Sequence, residues 1–392
     1  MENCVIVAYG RSPMGKANKG TLANVHPVDF AAEVLRGVLD KVPELDKEII
    51  DDLILGCAIP EGSMGLNPAR NILLRAGFSE KIPGQTVNRF CSSGIQAMAI
   101  AASMISSGLQ QVVVAGGVES MSSPVLSDNK EFLNPWLKEN TDAYISMGLT
   151  AENIARKYGI NRGRMETFAV ESNEKAAKAV ESGCFKEEII PVTGISKEGK
   201  KVIFADDECY RKGTNLEVLS TLKPCFKEDG LVTAATSSQR SDGASFVVMM
   251  SEAMALNLGI KPLGKFISFA VAGLDPAYMG MGPVYAVEKI MKKTGLKVED
   301  MDVIELNEAF ASQVLASMDI LNLNPKKVNP RGGALALGHP LGATGAILTC
   351  KALNYLKDTK GRYGLITMCV GGGMGAACIL ENYILPHREE KK

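Results

Sequence analysis

The stretch from Thr86 to Ile105 reads TVNRFCSSGIQAMAIAASMI, and a related stretch from Lys327 to Cys350 reads KVNPRGGALALGHPLGATGAILTC. Each pattern predicts a short strand, then a turn rich in glycine or other small residues, then a helix that begins on small side chains. Because strand, turn and helix recur in the same order, the two stretches indicate that the chain repeats an α/β unit.

Two further pairs of segments support this repeat. Ile49 to Cys57 resembles Asp300 to Phe310, and in both a short strand follows an acidic lead. Gln111 to Ser120 resembles Gly364 to Gly375, and in both a strand runs into glycines. The three pairs keep one order at a separation of roughly 250 residues. We therefore predict two related α/β halves that pack together.

Strand-like and helix-like patterns alternate along the chain, which is typical of an α/β protein. Continuous Val, Ile and Leu runs predict strands in a sheet that is covered on both faces. The predicted strands include Val5 to Ala8, Asp52 to Leu55 and Val112 to Ala115. The predicted helices include Pro27 to Leu39, Ile95 to Ser107 and Met165 to Glu181.

A region of different composition separates the two halves. It is richer in charge, holds the only tryptophan, Trp136, and has no counterpart in the second half. Its length favours a functional loop region over a passive connector. We predict an N-terminal half over 1–120, completed by about 241–262, a loop or lid domain over 121–240, and a C-terminal half over 263–392.

The composition of the 392 residues restricts the classes of function. With a formal net charge of -1, nothing global attracts the chain to nucleic acid or to an anionic membrane. No run approaches the roughly 18 to 20 apolar residues that span a bilayer. The nine cysteines lack C-x-x-C spacing, which argues against a disulfide framework and against a structural metal site. We expect a cytoplasmic protein with no metal.

Cys91 is the first candidate for chemistry. It stands between a strand that ends near Asn88 and a helix that begins just after it, with Gly108 suited to the end of that helix. A thiol at a helix N-terminus feels the positive end of the helix dipole, which favours the thiolate. Ser92, Ser93 and Gly94 are small, so a substrate can approach. A buried cysteine at a tight turn is the alternative interpretation.

His339 is the second candidate. The other two histidines, His26 and His387, lie near the chain ends without comparable glycine-rich surroundings. Gly338 and Pro340 flank His339, so its backbone belongs to a turn. A neutral imidazole suits removal of a thiol proton or a hydrogen bond to a carbonyl. The alternative is a structural histidine that caps the following helix.

Two more candidates lie after predicted strands. Cys369 precedes three glycines, which permit close approach of a ligand, and its alternative role is that of a buried strand-end cysteine. Asn307 and Glu308 follow the strand Val303 to Leu306. Asn307 could hold a water or an oxygen and Glu308 could orient neighbours, whereas the alternative is a helix N-cap with an acid in the first turn. Because ligands gather at the carboxyl ends of strands, we expect a shared cleft.

Four segments together resemble the thiolase family over nearly the whole chain: VNRFCSSGIQAM, NEAFA, GGALALGHPLGATGA and CVGGGMGAA. The resemblance implies a layered αβαβα core of duplicated α/β halves with a long loop domain inserted after the first half. It implies a reversible CoA-dependent cleavage of 3-ketoacyl-CoA, with coenzyme A as a substrate and no cofactor. Family members are usually dimers or dimers of dimers, so a homodimer or homotetramer is expected.

The resemblance also implies a role for each site residue. Cys91 would take the acyl group as a thioester, and His339 would activate Cys91 and later the thiol of coenzyme A. Cys369 would move the proton at the alpha carbon of acetyl-CoA. Asn307, through a water, and His339 would bind the thioester oxygen. The backbone N–H groups of Cys91 and Gly371 would form a second oxyanion hole.

Coenzyme A is anionic at its nucleotide end, and the resemblance places its contacts in the loop region. Arg211 suits that end through stacking and charge, Ser238 and Arg240 belong to the segment SSQRSDGAS, and Met147 is a further substrate contact. The alternative for Arg211 is a solvated basic loop.

The loop segments also bear on the subtype. Ser146 stands where biosynthetic acetoacetyl-CoA thiolases typically carry a histidine, and SSQRSDGA resembles the degradative group. We therefore expect a thiolase of fatty-acid breakdown, the alternative being a biosynthetic acetyl-CoA acetyltransferase. A ketoacyl synthase would need two further catalytic histidines, or a histidine and an asparagine. A hydrolase with a Cys–His pair has no other support in the sequence. The presence of both cysteines and the histidine argues against an inactive binding protein.

Overall fold

The computed structural model describes residues 2–123 and 133–383. Twelve strands lie within those ranges: β1 Cys4–Arg11, β2 Gly15–Lys16, β3 Asp52–Gly56, β4 Gly84–Val87, β5 Val112–Ser120, β6 Val192–Ile195, β7 Lys201–Phe204, β8 Ser241–Ser251, β9 Gly264–Gly273, β10 Val303–Leu306, β11 Tyr363–Val370 and β12 Met374–Asn382. The helices within the same ranges are α1 Pro27–Leu39, α2 Pro68–Ala76, α3 Ser93–Ser106, α4 Pro135–Asn140, α5 Met147–Lys157, α6 Arg162–Glu181, α7 Leu216–Ser220, α8 Glu252–Asn257, α9 Gly282–Thr294, α10 Ala311–Ile320, α11 Ala334–Leu337 and α12 Leu341–Thr359.

The main sheet contains the same arrangement of strands twice. In the first half the order is β4-β3-β5-β8-β1, with β4, β3 and β5 parallel and the last two pairings antiparallel. In the second half the order is β10-β11-β12-β9, with one parallel and two antiparallel pairings. A parallel bridge from Ile304 to Val328 takes the place that β4 has in the first half. The predicted duplication of an α/β unit is thus present in the fold.

The three pairs of similar segments occupy equivalent places in this arrangement. β3 corresponds to β10, β5 corresponds to β11, and the turn that leads into α3 corresponds to the turn that leads into α12. The two halves join where β1 pairs with β9, through Val5 with Lys265 and Ile6 with Gly264. The predicted fold class is confirmed.

Alternate strand residues face different apolar layers, which produces the five-layer stacking of helices and sheets. Val5 and Val7 of β1 pack with α1 and α2 on one outer side. Ile6 and its equivalents pack with α3 and α12 in the middle layer, and Leu365 of β11 packs with α9 and α10 on the other outer side. Helices α3 and α12 are therefore sandwiched between the two sets of strands.

Glycines allow α3 and α12 to approach at backbone distance. A Cβ on Gly345 would lie 2.4 Å from the backbone nitrogen of Ile95, and one on Gly94 would lie 2.9 Å from the carbonyl oxygen of Gly342. No side chain fits at these positions without movement of the helices. The contact places the N-termini of the two helices, one from each half, next to each other.

The region between the halves contains α4 to α7 and the hairpin of β6 and β7. A buried ion-pair cluster attaches it to the first half, because Arg11 of β1 lies 2.8 Å from Glu188 and 2.7 Å from Asp207. The single tryptophan, Trp136, is exposed. None of the helices in the described ranges is long and apolar enough to cross a membrane.

Candidate active site

The Cys91 turn is held by its own polar side chains. β4 ends at Val87, a 3-10 turn covers Phe90–Ser92, and α3 starts at Ser93. The Ser93 hydroxyl donates to the carbonyl of Phe90 at 2.7 Å and accepts from the N–H of Arg89 at 2.9 Å. Phe90 has a φ of +43°, a left-handed conformation that is strained for a non-glycine residue. The turn therefore presents Cys91 at the start of α3 in a fixed orientation.

The Cys91 thiol is in contact with its own backbone N–H and with the N–H of Gly371 from the other half. Burial raises the pKa of this thiol to about 11, although hydrogen bonds from the N–H of Gly371 and from its own N–H act in the opposite direction. The negative charge of Glu119 adds to the rise. The expectation that the helix N-terminus would favour the thiolate is therefore wrong for the free protein. Desolvation is the largest cause of the raised pKa, so Cys91 rests as a thiol and needs a base.

Gly371 belongs to the glycine loop between β11 and β12. Gly372 and Gly373 have φ values of 81° and 82°, which side chains other than glycine rarely adopt. A Cβ on Gly371 would lie 3.6 Å from the sulfur of Met147 and 3.9 Å from the ring of Phe90. The loop therefore brings its N–H group to Cys91 underneath Met147.

Cys369 lies at the end of β11, two residues before Gly371, and its side chain is completely buried. Burial raises the pKa of its thiol well above the ordinary value, and the neighbouring sulfur of Cys91 raises it further. The two sulfurs, one from each half, therefore lie close enough to interact. Cys369 is a neutral thiol at pH 7, the form that can give a proton to carbon.

The backbone of His339 is clamped by the segment that precedes β8. Its N–H donates to the carbonyl of Gln239 at 3.0 Å and to the hydroxyl of Ser241 at 2.9 Å. Gly338 has a φ of +104°, and a Cβ there would lie 2.2 Å from the Ser241 oxygen. A glycine before His339 is thus required by both conformation and space. The N-cap of α12 is Pro340, so His339 does not cap that helix.

The ring of His339 is held in one tautomer by Thr344. Nδ1 lies 2.6 Å from the Thr344 hydroxyl, and that hydroxyl donates its only proton to the carbonyl of Pro340 at 2.9 Å. This pattern favours a proton on Nδ1, which leaves Nε2 as an acceptor for the amide of Asn307. Burial lowers the pKa of His339 to about 4, so the ring is neutral at pH 7 and Nε2 can accept a proton.

Asn307 is buried beside this imidazole. Its amide Nδ2 lies 3.3 Å from Nε2 of His339, and its backbone N–H donates to the carbonyl of Thr367 at 2.9 Å, next to the end of β11. Its amide oxygen is buried and has no hydrogen-bond partner in the described part of the chain. A buried acceptor of this kind suits a water or substrate donor.

Glu308 does not cap the following helix. α10 has Phe310 as its N-cap, without a side-chain hydrogen bond. The Glu308 carboxylate instead accepts from the hydroxyl of Ser172 at 2.6 Å, the amide of Asn329 at 2.8 Å and the N–H of Leu335 at 3.2 Å. The alternative interpretation of Asn307 and Glu308 as a helix cap is therefore wrong, and Glu308 orients its neighbours.

Three of the residues nominated for coenzyme A lie in loops, and the fourth, Met147, begins α5. Ser238 is half-buried, and its N–H donates to the carbonyl of Ala309 at 2.9 Å. Arg211 is exposed, and its guanidinium has no hydrogen bond or ion pair with any residue that the structure describes. Arg240 is also exposed, but its guanidinium donates to the carbonyl of Met121 at 3.1 Å. Met147 covers Gly371, as described above.

The structure thus places Cys91 beside Cys369 and the N–H of Gly371, and it places Asn307 beside His339 and next to the end of β11. His26 is exposed at the start of α1, and His387 lies outside the described residues. Sequence reasoning missed residues that support the site without reacting, namely Thr344, Gln239, Ser241 and Glu119. Thr344, five residues after His339 inside a helix, gives no signal without the three-dimensional contact. No cluster of three metal-ligating side chains occurs within residues 2–123 and 133–383.

Comparison with known proteins agrees with this architecture. A family model for the N-terminal domain of thiolase matches residues 4–253, and one for the C-terminal domain of thiolase matches residues 260–382. A 3-ketoacyl-CoA thiolase of Bacillus subtilis (strain 168) is 46% identical over 390 residues, covering 97% of this chain and 100% of that protein. An acetyl-CoA acetyltransferase of Escherichia coli (strain K12) is 41% identical, covering 97% of this chain and 99% of that protein.

A solved structure of a related protein has the same fold. The crystal structure of the Bacillus anthracis acetyl-CoA acetyltransferase superposes with a TM-score of 0.91 at 40% identity, covering 97% of this chain and 99% of that one. The fold and its relatives define an enzyme of the acyltransferase class. Within that class, the chain belongs to the thiolase family.

Proposed function

We propose that this enzyme cleaves 3-ketoacyl-CoA with coenzyme A, releasing acetyl-CoA and a shortened acyl-CoA, through an acyl group carried on Cys91. The observation that supports this most directly is the pair of thiols, Cys91 and Cys369, at the glycine loop, with Asn307 linking the neutral imidazole of His339 to the end of the same strand β11. A thiolytic cleavage needs a nucleophile, a base for that nucleophile, and an acid for the carbon that leaves.

In the first step the proton of the Cys91 thiol passes to Nε2 of His339, and the sulfur attacks the keto carbon. Both groups are neutral in the free protein, so the separated charges must stabilise each other as the substrate closes the site. The oxyanion that forms on the keto oxygen would be bound by the N–H groups of Cys91 and Gly371. These are the same N–H groups that contact the Cys91 sulfur in the free enzyme.

In the second step the carbon–carbon bond breaks and the enolate of acetyl-CoA leaves. The enolate oxygen would accept hydrogen bonds from His339 and from a water held by Asn307, whose amide oxygen lacks a partner in the described part of the chain. Cys369 would give its proton to the carbon. The proton on the imidazolium then returns to the Cys369 sulfur, so both groups are ready for the second half of the reaction.

In the last step His339 takes the proton of the coenzyme A thiol, and the sulfur attacks the thioester on Cys91. The Cys91 thiolate leaves and recovers the proton from His339. An acyl group that waits on the enzyme between two substrates gives ping-pong kinetics. Arg211, with a guanidinium that no described residue engages, would bind the anionic end of coenzyme A, and Ser238, Arg240 and Met147 would contribute further contacts.

The proposal extends to degradative thiolysis of chains longer than four carbons. Relatives with the name 3-ketoacyl-CoA thiolase are 46% and 44% identical over 97% and 96% of this chain, and Ser146 replaces the histidine expected of biosynthetic members. The alternative is a biosynthetic acetyl-CoA acetyltransferase, and the Escherichia coli protein with the name acetyl-CoA acetyltransferase is less similar, at 41% identity.

The test is CoA-dependent cleavage of 3-ketoacyl-CoA substrates from about four to sixteen carbons, with Cys91→Ala as the control. We expect cleavage beyond four carbons by the native enzyme and none by the variant. Cleavage confined to acetoacetyl-CoA would favour the biosynthetic alternative. Full activity of Cys91→Ala would exclude the proposed acyl-enzyme.

We also propose that the enzyme is a cytoplasmic homodimer or homotetramer. β4 is the last strand at its end of the sheet, its residues are half-buried or exposed, and Phe90 nearby is 45% exposed. Edge strands with apolar neighbours are suited to pairing with a second copy. All nine cysteines are unpaired, as in a reducing compartment. Light scattering should give at least twice the 41.8 kDa of one chain.

A further inference from the structure

A buried carboxylate joins the two halves next to the active site. Glu119 lies at the end of β5 and is fully buried. Its Oε2 accepts from the N–H of Ala58 at 2.8 Å and from the N–H of Gly342 at 2.8 Å. Its Oε1 accepts from the N–H of Ile59 at 3.2 Å and from the Cys57 thiol at 3.7 Å. The carboxylate therefore receives four donors.

These donors come from both halves of the molecule. Ala58 and Ile59 follow β3 in the first half, whereas Gly342 is in the first turn of α12, three residues after His339. A single oxygen of Glu119 thus ties the start of the histidine helix to the half that carries Cys91.

The backbone next to Glu119 is packed too closely for any side chain at two neighbouring glycines. A Cβ on Gly342 would lie 2.7 Å from the Cα of Cys57, and a Cβ on Gly117 would lie 2.0 Å from the Gly342 carbonyl oxygen. Glycines therefore bring the helix terminus to backbone contact with the ends of β3 and β5. Within that contact, the Glu119 carboxylate is the group that pairs with the free N–H donors.

We propose that Glu119 is a positioning residue for catalysis, which holds the N-terminus of α12 so that the imidazole of His339 meets the thiol of Cys91. This inference rests on the proposed function. Glu119 acts through geometry and not by activating the thiol, because its charge raises the pKa of Cys91. A positively charged group that activated the thiol would lower the pKa of Cys91.

The chemistry of the donors explains why a carboxylate occupies this place. An ionised carboxylate only accepts hydrogen bonds, and negative charge is favourable at a helix N-terminus. A glutamine could keep the contacts of Oε2, but its amide N–H₂ would then face the Ile59 N–H and the Cys57 thiol. Burial raises the pKa of Glu119 to about 7, while the N–H donors of Ala58, Gly342 and Ile59 oppose that rise.

The test compares Glu119→Gln with Glu152→Gln. Glu152 is also a buried carboxylate that accepts backbone N–H groups, those of Leu231 at 2.9 Å and Val232 at 2.8 Å, but it does not contact α12. The readouts are kcat and KM of thiolysis per folded enzyme, and the rate at which iodoacetamide alkylates Cys91 at pH 7. The folded fraction is taken from circular dichroism.

For Glu119→Gln we expect kcat to fall about tenfold to a hundredfold, because small misplacement of a catalytic pair has effects of that size. KM should change by less than about threefold. Loss of the Glu119 charge alone would lower the pKa of Cys91 and speed its alkylation, so the slower alkylation that we expect reports the loss of a correctly placed His339. Glu152→Gln should keep kcat within about twofold. A kcat for Glu119→Gln that falls only with the folded fraction would overturn the proposal.

Glu119→Asp keeps the charge but is one methylene shorter, and it serves if the glutamine variant does not fold. We expect its kcat to lie between those of the native enzyme and Glu119→Gln. A native kcat in Glu119→Asp would contradict the proposal. If the native enzyme cleaves no 3-ketoacyl-CoA, the proposed function fails, whereas the alkylation rates still decide whether Glu119 positions His339 against Cys91.

Discussion

The contact between Thr344 and His339 shows how one hydroxyl decides which ring nitrogen can react. The Thr344 hydroxyl donates its proton to the Pro340 carbonyl, so its oxygen accepts a hydrogen bond from Nδ1 of His339. Nε2 is then left without a proton. The Asn307 amide is on the Nε2 side of the ring. The base of the site is thus defined by a residue that does not touch the substrate.

Replacement of Thr344 tests this directly. Thr344→Val keeps the shape but removes the acceptor for Nδ1–H, so the proton can move to Nε2 and block the base. We expect kcat of thiolysis to fall about 10- to 100-fold, as is typical for the loss of a supporting hydrogen bond to a histidine. Thr344→Ser, which keeps the hydroxyl, should stay within about threefold. A native kcat for Thr344→Val would show that the tautomer is set otherwise.

The pKa of Cys91 makes a second prediction at this scale. Since burial raises the pKa to about 11, the thiolate is scarce at pH 7 and increases with pH. In His339→Gln, which lacks the base, the rate of alkylation by iodoacetamide should rise about tenfold per pH unit between about pH 7 and 9.5. The measurement is a pH series of alkylation rates under native conditions. A plateau below about pH 8 would mean that the helix dipole exceeds desolvation.

The reactive residues could be predicted from sequence, whereas their supports could not. Cys91, His339, Cys369 and Asn307 lie in recognisable segments, and the structure places Cys91 beside Cys369 and Asn307 beside His339. Glu119 contacts Gly342 across 223 positions of sequence, and no local pattern predicts such a pair. The protonation state of Cys91 could not be predicted from the sequence either, because desolvation depends on the complete packing around the sulfur.

Among the helices, α3 and α12 matter most because their N-termini carry the site. Both predicted ends of α1, Pro27 and Leu39, are confirmed. α3 begins at Ser93, two residues before the predicted start, because the Ser93 side chain closes the turn. β5 runs to Ser120, past the predicted end at Ala115, because pairing with β3 and β8 holds glycines that are weak strand formers alone.

The close approach of these helices is open to test with one methyl group. In Gly345→Ala the new Cβ would lie 2.4 Å from the Ile95 nitrogen, so the helices must separate. We expect a loss of about 1–3 kcal/mol in the free energy of unfolding and a lower kcat. In Gly163→Ala, at the exposed start of α6, the new Cβ meets nothing closer than 3.6 Å, so stability should not fall. Urea unfolding of both variants measures the difference, and equal stability would contradict the tight contact.

On the scale of the whole molecule, the two halves share one sheet and one buried apolar layer, and a buried ion-pair cluster attaches the intervening region to the first half. The duplication was predictable because three segments recur in order, and the strand order repeats accordingly. The division into 1–120, 121–240 and 263–392 stays a prediction. The attachment of the intervening region through Arg11 could not be foreseen, since its partners Glu188 and Asp207 lie far along the chain.

Removal of that attachment should destabilise the enzyme. Arg11→Met leaves the carboxylates of Glu188 and Asp207 buried without their cation, which is expected to cost about 3–5 kcal/mol of stability. Arg164→Met removes an exposed ion pair with Asp319 and should cost less than about 1 kcal/mol. Urea unfolding at pH 7 compares the variants. Similar stabilities would mean that the buried cluster does not hold the region in place.

The position of β8 has a consequence for how the nascent enzyme emerges from the ribosome. β8 is central to the first half, between β1 and β5, yet it is not synthesised until residue 251 of 392. At a translation rate of roughly 5 to 20 residues per second, β5 waits roughly 7 to 26 seconds for that neighbour. During this interval β1 and β5 expose unpaired edges, a situation in which chaperones protect growing chains from aggregation.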